Sequence, residues 1–270
     1  MPDTPMWEVT FFVYGPITVE HHIRLTTAKG DRYLDPFYSD VDITRTTSGI
    51  KATVTARAST NSLAYKAAML FFGQMLDALT LHINQSMYLS LYERHSNHDE
   101  TFTTKRRVAH NEWEQSFREA RVLAFSEQTF FRTLGWYRKG LYTEDPFDKF
   151  LAFWNSIEIV ASYYHPPIPE GKPSGSKSEI WESFKAIWGE CKDWPNIPDE
   201  TNWIDNNYAT RLKVAHGKAP ITVQEVESVA DKFSLIEKVA YQFLGDWRSK
   251  KLEPKMPPDV ELETYLFGNS

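Results

Sequence analysis

An arginine and a histidine lie at the end of a predicted helix in the segment RLKVAHG. Arg211 and His216 have four residues between them, and Gly217 and Pro220 follow. A guanidinium group can hold a phosphate through several hydrogen bonds, and an imidazole can move a proton near neutral pH. The pair therefore suits chemistry at a phosphodiester. The alternative is that His216 only stabilises the negative end of the helix.

The spacing of the pair determines how it could work. Five positions on a regular helix turn by about 500°, so the two side chains point about 140° apart. They can share a site only if the helix ends between them or a facing element supplies part of the pocket. Gly217 is expected to end the helix beside His216, and Pro220 prevents its continuation.

A second predicted helix supplies polar partners for this pair. It spans residues 145–167, with Asp145 as its N-cap and a proline next. Glu158 interrupts its apolar surface, and Asn155 lies on the same flank. Because a partly buried carboxylate needs a cationic partner, we expect an ion pair between Glu158 and Arg211. A purely structural role for Arg211 remains the alternative.

The segments YRKGLYTEDPFDKFLAFWNSIEIV and RLKVAHG resemble HEPN domains, in particular the ApeA-like HEPN group and the methylamine-utilisation MauJ-like proteins. The resemblance covers roughly residues 120–246. It implies a helical bundle that cuts RNA without a metal, with the adjacent 2′-hydroxyl as nucleophile and with Arg211 and His216 as catalytic residues. It also implies a role in toxin or antiviral defence systems, and a homodimer formed through the bundle.

One position departs from the family pattern. Leu212 follows the arginine, where catalytic members often carry a polar residue. A non-catalytic binding or scaffold subunit of a defence or regulatory complex is therefore the alternative hypothesis. Glu158 and Asn155 are assigned as orienting or structural partners under either hypothesis.

Other pairs of chemically active residues favour simpler explanations. Arg106 and His110 form a second arginine and histidine pair that resembles Arg211 and His216, but we expect them on a solvated helix face. His95 and His98 lie near two acids without a further ligand set at metal spacing. No metal site and no cofactor site is predicted.

The periodicity of the chain predicts an α+β protein with two domains. Residues 1–95 are expected to form a small domain of antiparallel strands plus one helix, with strands at 7–15, 17–27, 41–47, 50–58 and 85–93 and a helix at 59–84. A polar linker is predicted at 94–105. Residues 106–247 are expected to form an all-α bundle whose last helix spans 222–247, and residues 248–270 form a tail.

Composition limits the classes of function. The chain has 270 residues, 41% of them hydrophobic, one cysteine and a formal charge of −6. This acidic balance argues against a strongly basic nucleic-acid binder, but it leaves room for a local basic cleft. No disulfide framework, signal peptide or membrane span is predicted, so we expect a cytoplasmic protein. The N-terminal domain is expected to bind a protein partner or a trigger.

Overall fold

The computed structural model describes residues 5–26, 37–93, 104–220 and 222–252. The chain forms two compact units, one running to Ser126 and the other beginning at Glu127. An antiparallel sheet and one helix come first, and seven more α-helices follow within the described ranges. The expected α+β class is therefore confirmed.

Five strands form the main sheet of the first unit. In chain order they are β1 (Met6–Tyr14), β3 (Ile23–Thr26), β4 (Phe37–Thr46), β5 (Gly49–Arg57) and β6 (Tyr88–Ser90). Their spatial order is β3-β4-β5-β1-β6, and every neighbouring pair is antiparallel. Along β5 the side chains of Ile50, Ala52 and Val54 are fully buried at every second position, as the alternating pattern predicts. Gly49 is required at its position, because a Cβ there would overlap the carbonyl oxygen of Val13.

The single strand predicted over 17–27 is wrong in its middle. Residues 17–18 form a short strand, β2 (Ile17–Thr18), and the chain bends at Glu20 and His21 before β3 begins. The side chains at the bend are polar and exposed, and burying them in the sheet would cost free energy because they would lose their contact with water. β2 instead pairs in parallel with β7 (Arg106–Arg107).

Two helices belong to the first unit. α1 (Asn61–Ile83) begins after Thr60, whose side chain accepts a hydrogen bond from the Leu63 amide at 3.2 Å. α2 (His110–Ser126) packs against α1, with an edge-on ring contact of 5.5 Å between Phe71 and Phe117. The compact units therefore divide after α2, whereas the sequence placed the boundary at 94–105. Residues 94–103 of that predicted linker lie outside the described residues.

The second unit is a bundle of six α-helices with one of them at its centre. They are α3 (Gln128–Tyr142), α4 (Pro146–Tyr164), α5 (Ser176–Trp188), α6 (Trp203–Ala215), α7 (Val223–Ala230) and α8 (Phe233–Lys251). The central helix is α4, which contacts each of the other five. Its predicted start is confirmed, because the Asp145 carboxylate accepts a hydrogen bond from the Asp148 amide at 2.9 Å. Its apolar side chains at Phe150, Phe153 and Trp154 are fully buried.

The single helix predicted over 222–247 is also wrong. α7 and α8 separate at Asp231 and Lys232, where the Lys232 amide bonds to the Val229 carbonyl at 3.1 Å, three residues back. Both junction residues keep right-handed helical dihedrals, so no glycine or proline marks the break. Val223, an apolar residue at the start of α7, is 68% exposed. Residues 253–270 of the predicted tail lie outside the described residues.

None of the described helices has both the length and the apolar character that a membrane span requires.

Candidate functional site

The end of α6 fixes the backbone of His216. Gly217 has a left-handed φ of 62°, its amide bonds to the Val214 carbonyl at 3.0 Å, and the Lys218 amide bonds to the Lys213 carbonyl at 2.8 Å. These two bonds define a Schellman helix end, as the sequence predicted from the glycine. His216 is the C-cap residue of α6, and its side chain is exposed.

Arg211 contacts the central helix of the bundle. Its Nε lies 3.3 Å from Oε2 of Glu158, and the two side chains are 28% and 12% exposed. The predicted ion pair between Glu158 and Arg211 is therefore confirmed. The buried Nε makes no hydrogen bond of normal geometry, so the attraction between the two groups is chiefly that of opposite charges in a partly desolvated place.

The two paired residues line a surface groove of about 480 Å³. Three helices of the second unit supply its lining, which consists of Thr129, Arg132, Trp136, Asn155, Glu158, Ile159, Ser162, Tyr163 and Arg211. Two guanidinium groups and one carboxylate give the lining a net positive charge within a chain of net charge −6. The volume falls in the range of roughly 300–1,000 Å³ typical of small-molecule sites. The groove therefore suits an anion of nucleotide size.

Three of the four residues singled out in the sequence meet in this groove. Asn155, Glu158 and Arg211 line it, whereas His216 is not part of the lining. Leu212, next to the arginine, is half-buried. Arg211 therefore lies in the groove, whereas His216, at the C-cap of α6, lies outside it, so a single chain does not place both side chains in one pocket.

Sequence reasoning missed the contribution of α3 to the groove. Thr129, Arg132 and Trp136 are spaced three and four residues apart, so they share one face of that helix. This spacing was visible in the sequence, but nothing in it indicated which neighbour that face would meet. Tyr163 was missed on α4 because it is a lone exposed ring in the last turn of that helix, with no sequence pattern that marks it.

Hydrogen bonds anchor the end of α4 beside the groove. The Tyr164 hydroxyl donates to Oε2 of Glu127 at 2.7 Å, and burial together with this bond raises the pKa of Tyr164 above its usual range. The Ser162 hydroxyl donates to Oε2 of Glu179 at 2.8 Å. The backbone that carries Tyr163 is therefore held on both sides.

The second Arg and His pair has a different structure from the one expected. Arg106 lies in β7, and only His110 lies on α2, so the pair does not share a helix face. The Arg106 guanidinium instead donates to both carboxylate oxygens of Glu112, at 2.6 and 3.0 Å. This hydrogen bond is the largest of the effects that lower the pKa of Glu112.

His95 and His98 lie outside the described residues, and no group of three or more potential metal ligands occurs in the described part of the chain.

Comparisons were made with family models, with curated proteins and with solved structures, and none of them matches this chain.

Proposed function

We propose that this protein is a HEPN-type endoribonuclease that cuts RNA without a metal, through Arg211 and His216. The observation that carries the proposal is the groove in which Arg211 is held by Glu158, beside Asn155 and a second cation. The positive charges of Arg132 and Arg211 can attract a phosphate to this groove, and the Glu158 carboxylate on the central helix holds the Arg211 side chain in place. A role in toxin or antiviral defence follows from the family resemblance.

The proposed reaction uses the RNA's own nucleophile. The 2′-oxygen forms a bond to the adjacent phosphorus, and the bond from phosphorus to the 5′-oxygen breaks. Arg211 binds the phosphate oxygens and stabilises their developing charge. The His216 imidazolium gives its proton to the departing 5′-oxygen, and the 2′-hydroxyl proton passes to solvent. The products are a 2′,3′-cyclic phosphate and a 5′-hydroxyl end.

The proposed active form is a homodimer through the helical unit. His216 lies outside the groove lining, and the two motif side chains diverge by about 140° on a regular helix. A second copy placed on a two-fold axis near α6 would bring its own histidine to the groove. The first unit would bind the partner or trigger that controls assembly.

A non-catalytic binding subunit is the second candidate function. It is favoured by Leu212 and by the exposed position of His216 outside the groove. Under this hypothesis the groove would hold RNA or nucleotide without cleaving it.

Cleavage of an end-labelled RNA in the presence of EDTA tests the proposal. We expect wild-type protein to cut, and His216→Ala to cut roughly 10²–10⁴-fold more slowly because a proton donor is lost. His110→Ala is the matched control, since it removes an exposed histidine from the other Arg and His pair. Wild-type protein that never cuts would reject the nuclease, and equal loss in both variants would reject the assignment of His216.

A further inference from the structure

We propose that the groove contains a nucleotide subsite, in which Arg132 binds one phosphate and Tyr163 stacks on the unpaired base beside it. The subsite rests on the proposed function, because it extends the RNA site away from Arg211. It would make an unpaired nucleotide part of the substrate.

Within the described part of the chain, Arg132 has no charged or hydrogen-bonding partner. Its side chain is exposed on α3 and lines the groove, and among the described residues it forms no ion pair and no hydrogen bond. Arg211, in contrast, has part of its charge offset by Glu158. Arg132 is therefore the groove's strongest attraction for a second anionic group. Successive phosphates along a nucleic acid can present two such charges to one groove.

Tyr163 presents an aromatic ring to solvent at the groove. Its side chain is 67% exposed, which is unusual for so large an apolar surface. The ring nevertheless has a fixed neighbour, because its centroid lies 4.7 Å from that of Tyr164 in an edge-on contact. Tyr164 is itself held by Glu127. A pre-oriented, exposed ring is the geometry on which a base stacks at low entropic cost.

The remaining lining supplies polar groups for the edge of a base. The Asn155 amide is half-buried and makes no hydrogen bond within the described ranges, so it keeps both a donor and an acceptor. Trp136 is already covered in part, since the Lys139 ammonium lies 5.2 Å from its ring centre. Tyr163 is therefore the platform that we assign, and a base-paired duplex could not offer the unstacked face that it needs.

Binding of a 2′-O-methyl RNA 12-mer of mixed sequence tests the subsite independently of cleavage. The probe lacks the nucleophilic 2′-hydroxyl, so wild-type protein can bind it but cannot cut it. We expect fluorescence anisotropy to show at least tenfold tighter binding of the single strand than of the same sequence as a duplex. Tyr163→Ala should weaken binding roughly 5- to 150-fold, the range that one base–aromatic stack contributes. Tyr163→Phe should bind like wild type, because the ring is retained.

Arg132→Gln tests the phosphate contact. We expect weaker binding, and a plot of log affinity against log salt concentration whose slope is smaller by about 0.7, the value for one phosphate on a single strand. Tyr92→Ala and Arg45→Gln are matched controls, because they remove an exposed tyrosine and an exposed arginine from the first unit. Both controls should bind like wild type.

The outcomes separate this inference from the nuclease proposal. Protein that binds the single strand through Arg132 and Tyr163 but cuts no RNA would retain the subsite and reject the nuclease. Absence of binding, equal binding of duplex, or unchanged binding by both groove variants would overturn the subsite, even if RNA is cut. Affinity for a free mononucleotide equal to that for the 12-mer would also overturn it, because no second phosphate would then be used.

Discussion

The ion pair between Arg211 and Glu158 is expected to stabilise the second unit measurably. At a distance of 3.3 Å the two charges attract by about 5 kcal/mol if the effective dielectric constant is about 20. The cost of removing both groups from water opposes this attraction, and it is large for Glu158, which is only 12% exposed. A buried pair that loses one partner costs about 3–5 kcal/mol and an exposed pair about 0–1 kcal/mol. Because this pair is intermediate, we expect Arg211→Ala to lower the free energy of unfolding by about 2 kcal/mol.

Removal of both charges is expected to cost less stability than the sum of the two single changes. Glu158→Gln should recover part of the stability of Arg211→Ala, because no unpaired carboxylate then remains against the bundle core. The double-mutant coupling energy should be about 1–2 kcal/mol. The catalytic or binding defect of Arg211→Ala should not recover, since the guanidinium is still missing.

Urea unfolding followed by tryptophan fluorescence is a suitable assay. All of the nine tryptophans except Trp7 and Trp113 lie in the second unit, so the signal reports that unit. The melting temperature of Arg211→Ala should fall by about 4–8 °C. The ion pair between Lys213 and Glu225 is the matched control, since it also starts on α6 but its lysine is 52% exposed. Additive losses for Arg211→Ala and Glu158→Gln, with no coupling, would refute the reasoning.

Three further predictions concern the packing and the charges of the second unit. Gly140→Ala should destabilise by about 1–3 kcal/mol, because its Cβ would lie 2.6 Å from the buried ring of Phe153; thermal unfolding measures the loss. Gly245→Ala should instead stabilise by about 0.5–1 kcal/mol, since the added Cβ meets nothing within 4 Å on α8; a lower melting temperature would contradict this. Burial opposes ionisation of Asp246, but hydrogen bonds, including one of 2.7 Å from Trp188, lower its pKa. This stabilisation is complete above the usual aspartate pKa of about 3.9 and is lost as the pH falls through the lower folded value. Trp188→Phe should therefore lose more stability relative to wild type at pH 7 than near pH 2, where only the packing of the indole on Phe184 and Phe243 is lost. A loss of the same size at both pH values would contradict the assignment.

Local chemistry made part of this structure predictable from the sequence. The start of α4 follows from an aspartate before a proline, and the end of α6 follows from Gly217. The ion pair between Glu158 and Arg211 followed from one acid on an apolar surface, which needs a cationic partner. Each of these inferences needs only neighbours in sequence or one complementary pair.

The features that sequence reasoning missed depend on contacts between distant segments. Residues 106–107 form a strand only because they meet β2, and their own sequence favours no strand. The break between α7 and α8 uses ordinary helical dihedrals, so no residue type signals it. Arg132 reaches the groove because α3 packs on α4, and the apolar period of α3 does not identify that partner.

The pairing of β2 with β7 makes the first unit a candidate for reconstitution from two pieces. This pairing, together with the packing of α1 on α2, joins the chain before residue 93 to the chain after residue 104. A protease cut between those residues would open the polypeptide without removing either contact. The fragments are expected to elute together, and separately expressed halves should reassemble without a covalent link.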